Sequence, residues 1–408
     1  MSLLSGAVRD YTDLTRRLAD LIVSFGANVQ PGQLVGVTSY LGKEELSREI
    51  ARAAYERGAR YVDVLYSDPL VKRQRLLHGD PATLDYIPPW MLDRLRHLSD
   101  EHAARIALSG PQAPQALEGI AADRCDRDLL PYLPETGQIV NLRTTNWCVA
   151  PAPTRGWAEI VYPEADPDEA YGRLWDAIAH ICRLDADDPA AAWIERMATV
   201  KQGADALTER RFDAIHLHGP GTDLTVGLLR SSVWHAAEFT TVDGLEHFPN
   251  IPSEETFTTP DPLRVDGHVT ATMPLELYGS IVKGIRVEFE GGRAVKIDAD
   301  ENAATLRSAS AKDDGGTRLG ELALVDGGGR IGPLETVFYD TLIDENAASH
   351  IALGSGYALA VADEADRRRI NESHVHIDFV IGSPALDVDG ITAAGDHVPV
   401  LRDGAWQI

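Results

Sequence analysis

Apolar positions near the start of the chain recur at helical spacing. Val8, Tyr11, Leu14, Leu18, Leu21, Ile22 and Phe25 fall on one face, and Asn28 followed by Pro31-Gly32 closes the pattern. "LVGVTSY" is a short, nearly unbroken apolar run of the kind a strand buried on both faces requires. "KEELSREIARAAYERGA" returns to the helical period and stops at Gly58, and "YVDVLY" is strand again. Helical stretches from about Leu70 to Leu98 lead to a third strand, "ARIALSG". The β-α-β-α-β order predicts a parallel sheet covered by helices on both faces. No G-x-G-x-x-G follows any of these strands, so a dinucleotide site is not expected.

From Asp166 to Arg211 the pattern is helical, and this stretch reads as the bridge between two domains. Beyond it the period changes. "DAIHLHG", "DLTVGLL", "HVTATMPLEL", "SIVKGIRVEFE" and "AVKIDA" are strand-like, and "EGGR" between the last two is a hairpin signal. Only "ENAATLRSASAKD" and the surroundings of "DENAASH" are helical in this half. The predicted fold is therefore an α/β domain with a parallel sheet over residues 1–185, followed by a mainly antiparallel α+β domain over 186–408. In "GPGTDL", Pro220 has no N–H and no lysine follows, so a turn that positions Asp223 is expected rather than an anion cradle. "NWCVAPAPTRGWA" reads either as a substrate-path wall or as a long ordered loop between the domains.

Composition narrows the function. The 408 residues can bury two cores, and the net charge is −25. Neither nucleic acid nor an anionic membrane surface is an expected partner, because both need a cationic footprint. The opening "MSLLSGAVRDYTDL" has only a very short apolar run before Arg9 and Asp10, and no segment matches a membrane span, so a cytoplasmic location is expected. Cys125, Cys148 and Cys182 share no C-x-x-C spacing, which argues for a reducing compartment and against a thiolate zinc site.

Four segments of the second half place ionisable groups among small or apolar residues. They carry Glu254 and Glu255 ("NIPSEETFTTP"), Glu321 ("RLGELALVD"), Glu345 and His350 ("DENAASHIALGSGY"), and His374, His376 and Asp378 ("NESHVHIDFVIG"). A carboxylate at the head of an apolar strand, as at Glu321, loses its hydration unless it is paired or metal-bound. In "HVHIDF" the alternation puts His374, His376 and Asp378 on one strand face, and imidazole with carboxylate suits zinc or cobalt. Glu345 and His350 are five residues apart, about 140° out of line on a helix, so they converge only if the helix ends near Ser349. H-E-x-x-H is absent.

Those segments, together with "GPGTDLTVGL", "NWCVAPAPTRGWAEIVYP" and the N-x-S-x-x-H-x-D-F pattern at 371–379, resemble the thermophilic-type metal-dependent aminopeptidases, the aminopeptidase T and aminopeptidase S family. The likeness runs from the first helix to "DGAW" near the end. It implies two divalent ions (zinc, cobalt, manganese or magnesium) in the C-terminal domain, with ligands Glu255, Glu321, Glu345, His350, His376 and Asp378 and with Glu321 as the bridge. Tyr357 matches the tyrosine regarded as catalytic in that family. Of the adjacent glutamates, Glu255 is the favoured ligand, and Glu254 is expected to be a general base carrying the proton to the leaving amine or an acceptor behind the ligands. His374 occupies a variable position and is left out of the site. The resemblance further implies short peptide substrates and a homodimer.

The chemistry expected of such a site is attack by a metal-activated water on the first peptide carbonyl, with Tyr357 donating a hydrogen bond to the oxyanion. Two other readings stay open: a dinuclear amidase or esterase acting on a small molecule, and a metal-holding protein without turnover.

Overall fold

The computed structural model describes residues 10–408 apart from 112, 114, 115, 118, 129, 132 and 134, with the backbone alone for 122 and 126. The expected helical position of Val8 lies outside the described residues. The first helix, Thr12–Leu21, buries Leu18, Ala19 and Leu21, then widens into a π-helical turn over Ile22–Gly26. Four strands follow in the first half: β1 (Leu34–Tyr40), β2 (Tyr61–Ser67), β3 (Ala104–Ser109) and β4 (Trp147–Pro151). They form one parallel sheet in the order β2-β1-β3-β4, with Val35 beside Val62 and Ala104, and Ile106 beside Cys148. The expected parallel sheet is present.

It has one strand more than the hydrophobic pattern indicates. "NWCVAP" is not a loop between domains: it is β4, the edge strand, buried under the π-helical turn. The fit there is close, since a Cβ on Gly26 would stand 2.5 Å from Cys148 Sγ. Leu18, Ile22, Val37, Ile50, Trp157, Leu174 and Ile178 complete this first core.

The second half holds two large sheets whose strands pair antiparallel. One has five strands, in the spatial order His376–Val380, His350–Gly354, Leu319–Val325, Glu255–Thr258, His235–Ala236. The other has eight and includes Pro260–Thr270, Thr222–Leu228, Ala214–Gly219, Asp387–Ile391 and His397–Arg402 as consecutive neighbours. The chain passes from the first to the second between Thr258 and Pro260. Leu322, Leu324, Ile351 and Leu353 on one face of the smaller sheet share a core with Leu217, Leu224, Val226 and Val265 of the larger.

The helix Pro189–Arg210, capped by Asp188 accepting from the Ala191 N–H, belongs to both cores. Its first turns bring Trp193, Met197 and Val200 to the first core, and its last turns bring Ala204 and Leu207 to the second. The first core also receives Ile251, Ile331, Phe338 and Ile343 from later in the chain.

Candidate metal centre

The face of the five-stranded sheet opposite the leucines carries the ionisable groups, and register puts them there. Phe257 lies beside Ala323, Ala323 beside His350, and His350 beside Val380. One pair along, Glu321 lies beside Ala352 and Ala352 beside Asp378; Gly354 lies beside His376. Because side chains alternate along a strand, Glu255, Glu321, His350, His376 and Asp378 all project to one side. Glu345 joins from outside the sheet. The helix Thr341–Asp344 tightens into a 3₁₀ turn over Glu345–Ala347, Ala348 is extended, and a strand begins at His350. That early stop brings Glu345 and His350 together, as the sequence spacing demanded.

Ligand atoms from these residues fall within 4.8 Å of one another in three overlapping sets: Glu255, Glu321 and His350; Glu321, His376 and Asp378; Glu345, His350 and Asp378. His350 Nε2 is 3.0 Å from Glu255 Oε2, and His376 Nε2 is 3.1 Å from Glu321 Oε2 and 3.3 Å from Asp378 Oδ1. The other ring nitrogens face carbonyls, His376 Nδ1 at 2.8 Å from Ser355 O and His350 Nδ1 at 3.4 Å from Ala348 O. A proton on each Nδ1 leaves the Nε2 lone pair aimed at carboxylate oxygens. That arrangement repels unless a further proton or a cation stands between them. Glu255 Oε2 and Asp378 Oδ1 are buried, and apart from these imidazole contacts they have no hydrogen-bond donor among the described residues. Two imidazole nitrogens with fixed tautomers and four carboxylates are a donor set that fits divalent cations.

Electrostatics point the same way. Burial, reinforced by neighbouring carboxylates, pushes Glu345 well above the usual carboxylate range, and burial also raises Glu321. For His350 burial opposes the charged form, but the contact with Glu255 and the charges of Glu345 and Glu321 outweigh it and lift the imidazole to about 10. His376 is raised well above its ordinary value against the same burial, by the charge of Asp378 first and by its contacts with Asp378 and Glu321. Asp378 is lowered: burial is offset by His376 and His350. In the absence of cations the protein can supply only protons to neutralise this cluster.

Tyr357 stands at its rim, its hydroxyl 3.5 Å from His376 Nε2 and its ring edge-on to Phe257. Its backbone is clamped to Thr259, whose Oγ1 accepts from Tyr357 N and donates to Tyr357 O. Burial raises the phenol further, so it is protonated at neutral pH and able to donate. The turn leading to it needs Gly354, whose φ is +111° and whose Cβ would meet Val375 O at 2.0 Å.

Glu254 is not part of the cluster, and its expected role as a proton carrier is corrected here. Its carboxylate is fully buried between two arginines: Arg183 Nη2 donates at 2.9 Å and Arg196 Nε donates to the other oxygen. Arg196 also pairs with Asp326, which accepts in turn from Trp406. Held by two guanidiniums, the Glu254 carboxylate is fixed in place and lines neither the cluster nor its cavity, so it is not positioned to pass a proton there. His374 precedes the strand, which begins only at His376, and it belongs to none of the three sets. Asn346 was not foreseen: its Oδ1 accepts from Glu254 N at 2.6 Å and its Nδ2 donates to Leu342 O, joining the two glutamate segments.

The centre opens into a cavity of about 920 Å³. Its far wall comes from the first half, with Arg105, Gln138 and Trp147, while Phe239 and Phe257 line the near side.

Comparison with known proteins agrees with this architecture. Residues 12–406 match the model of the thermophilic metalloprotease family (M29). The chain is 40% identical to aminopeptidase T of Thermus aquaticus over 98% of its own length and 99% of that protein's. It is 34% identical to aminopeptidase PepS of Streptococcus thermophilus, with 98% and 99% covered. The solved structure of wild-type AmpT from Thermus thermophilus superposes with a TM-score of 0.89 at 38% identity, over 98% of this chain and all of that one. The chain belongs to the thermophilic metalloprotease family. It is a peptidase, a hydrolase of peptide bonds, and its family membership implies the use of divalent metal. Among the described residues no helix is long and apolar enough to cross a membrane.

Proposed function

We propose that the chain is an aminopeptidase releasing N-terminal residues from short peptides, and that Glu255, Glu321, Glu345, His350, His376 and Asp378 hold two divalent cations. The observation that carries the reading is the pair of buried oxygens, Glu255 Oε2 and Asp378 Oδ1, that make no well-formed hydrogen bond and face imidazole Nε2 atoms at 3.0 and 3.3 Å. Glu321, His350 and Asp378 each stand in two of the three ligand sets, and of these the Glu321 carboxylate, with two oxygens, could be shared by both cations. When bound, the cations supply the charge that makes a water acidic enough to act as a nucleophile near neutral pH and that polarises a peptide carbonyl.

The chain's own residues do the rest. Ser355 O and Ala348 O hold the imidazole tautomers, which keeps both Nε2 atoms free to ligate. Tyr357 donates its O–H to the oxygen of the attacked carbonyl as negative charge builds there. A buried, acidic centre beside a cavity of about 920 Å³ favours the free amine and short length of small peptides. Zinc, cobalt or manganese suits two imidazoles and four carboxylates, and magnesium suits the oxygens alone. A cytoplasmic homodimer completes the reading, and light scattering tests the dimer.

The test is hydrolysis of aminoacyl-p-nitroanilides beside their N-acetylated forms, with metal content measured on the same samples. Expected are at least two divalent ions per chain, loss of activity to a chelator, recovery on adding metal, and no cleavage of the acetylated substrates. Equal cleavage of acetylated and free forms would turn the assignment to a general amidase. Cleavage that survives complete metal removal would refute the metal centre.

A further inference from the structure

A second cluster of metal-ligating side chains lies on the outer face of the eight-stranded sheet, and none of its members lines the cavity. In the strand Ala214–Gly219, Ile215 and Leu217 enter the core, so His216 and His218 face the other way. His216 is directly opposite Asp389 on the neighbouring strand. The next strand begins at His397. Ligand atoms of His216, Asp389 and His397 lie within 4.8 Å of one another.

Ordinary pairing explains part of this cluster and leaves one feature over. Asp389 Oδ1 accepts from Arg402, which accounts for the burial of a carboxylate on a sheet face. Its Oδ2 remains turned to the imidazoles, 3.3 Å from His218 Nε2 and 3.8 Å from His397 Nδ1. His216 Nε2–H donates to Asp223 Oδ1 at 2.8 Å, which makes Nδ1 the nitrogen with the lone pair. That Nδ1 is shielded from water and has no hydrogen-bond partner. A histidine with one ring nitrogen fixed by a carboxylate and the other left bare has the pairing pattern of metal-ligating histidines.

We infer that His216, Asp389 and His397 form a second cation site, separate from the catalytic centre, for a first-row divalent ion such as Zn2+, Ni2+ or Cu2+. Two imidazoles in three ligands select against Mg2+ and Ca2+, which take oxygen. The three ligands come from three consecutive strands, so the ion ties the sheet together across Ala214–Gly219, Asp387–Ile391 and His397–Arg402. Asp223 sets the tautomer of His216, and the position left open by three protein ligands is filled by water.

Equilibrium dialysis of the full-length, metal-loaded protein against Zn2+, with metal analysis, tests the site. The wild type is expected to take up one equivalent more than H216Q/H397Q, with the same rate of peptide hydrolysis in both, and Zn2+ is expected to raise the Tm of the wild type only. Equal stoichiometry in the two proteins overturns the proposal. If circular dichroism finds the double variant unfolded, H397Q alone decides, because the His397 side chain is 52% exposed and dispensable for packing. Loss of about tenfold or more in the affinity of the last equivalent supports the site, and unchanged affinity refutes it.

Discussion

Two buried ionic clusters lie one residue apart in the chain, and they solve the same electrostatic problem differently. Around Glu254, two carboxylates (Glu254 and Asp326) meet two guanidiniums (Arg183 and Arg196), and the charges cancel within the fold. Around Glu255, four carboxylates meet only two imidazoles, and two of the buried oxygens face imidazole nitrogens without a well-formed hydrogen bond. Charge buried without compensation costs several kcal/mol per ion, so a protein retains such a cluster only if something arrives to neutralise it. The first cluster is complete and structural. The second can be neutralised from within only by protons, and its donor set fits the divalent metal that membership of a metalloprotease family implies. The contrast extends to histidine: burial pushes His247 down to about 4 against a backbone hydrogen bond with Leu245, whereas His350, also buried but among carboxylates, is raised to about 10.

The sharpest way to break this contrast is Glu321→Gln. Loss of partners that merely orient ligands costs 10–100-fold in metal affinity, so removing a shared ligand is expected to cost more than about 100-fold and to abolish turnover. A fully metallated, active variant would end the bridging role. Next, Glu254→Gln leaves two buried guanidiniums under-compensated and is expected to lower stability by about 3–5 kcal/mol in chemical denaturation. Its metal content per folded chain should stay at the wild-type level. A fall in metal with no fall in stability would place Glu254 back in the centre.

Tyr357→Phe is expected to keep its metal and lower kcat about 100- to 1000-fold, the usual effect of losing one oxyanion donor; near wild-type kcat would remove Tyr357 from the chemistry. The smallest effect belongs to His247. Its folded pKa, about 4 against 6.5, means that between those values the unfolded chain binds a proton the folded one does not. Stability therefore falls as pH drops from 6.5 to about 4 and levels off below, by about 1.4 kcal/mol per pH unit at most. His247→Phe should remove that slope, and denaturation curves across the range would detect its persistence.

Much of the centre was legible because its chemistry is local. Lone carboxylates heading apolar runs, and imidazole alternating with aspartate, mark strands whose polar face must meet something charged. The spacing of Glu345 and His350 even required the helix to stop where it does. The choice between Glu254 and Glu255 could be favoured but not fixed, because it depends on which residue opens the strand and on Arg183 and Arg196, far away in the chain. The edge strand β4 was hidden for a similar reason. "NWCVAP" is short, lacks alternation and ends in proline, and only pairing with Ala104–Ser109, some forty residues earlier, makes it a strand. Asn346 carried no signal at all, since a buried asparagine is recognisable only once its two backbone partners are in place.

The helix Pro189–Arg210 has a mechanical consequence. Its 22 residues span about 33 Å, and its two ends are embedded in different cores. Swinging one half away from the other would pull Trp193 and Met197, or Ala204 and Leu207, out of apolar surroundings into water. The molecule thus has an axle rather than a hinge. Any change in the spacing of the cavity's two walls must therefore disturb one of these cores, so the helix couples the width of the cavity to the stability of the fold.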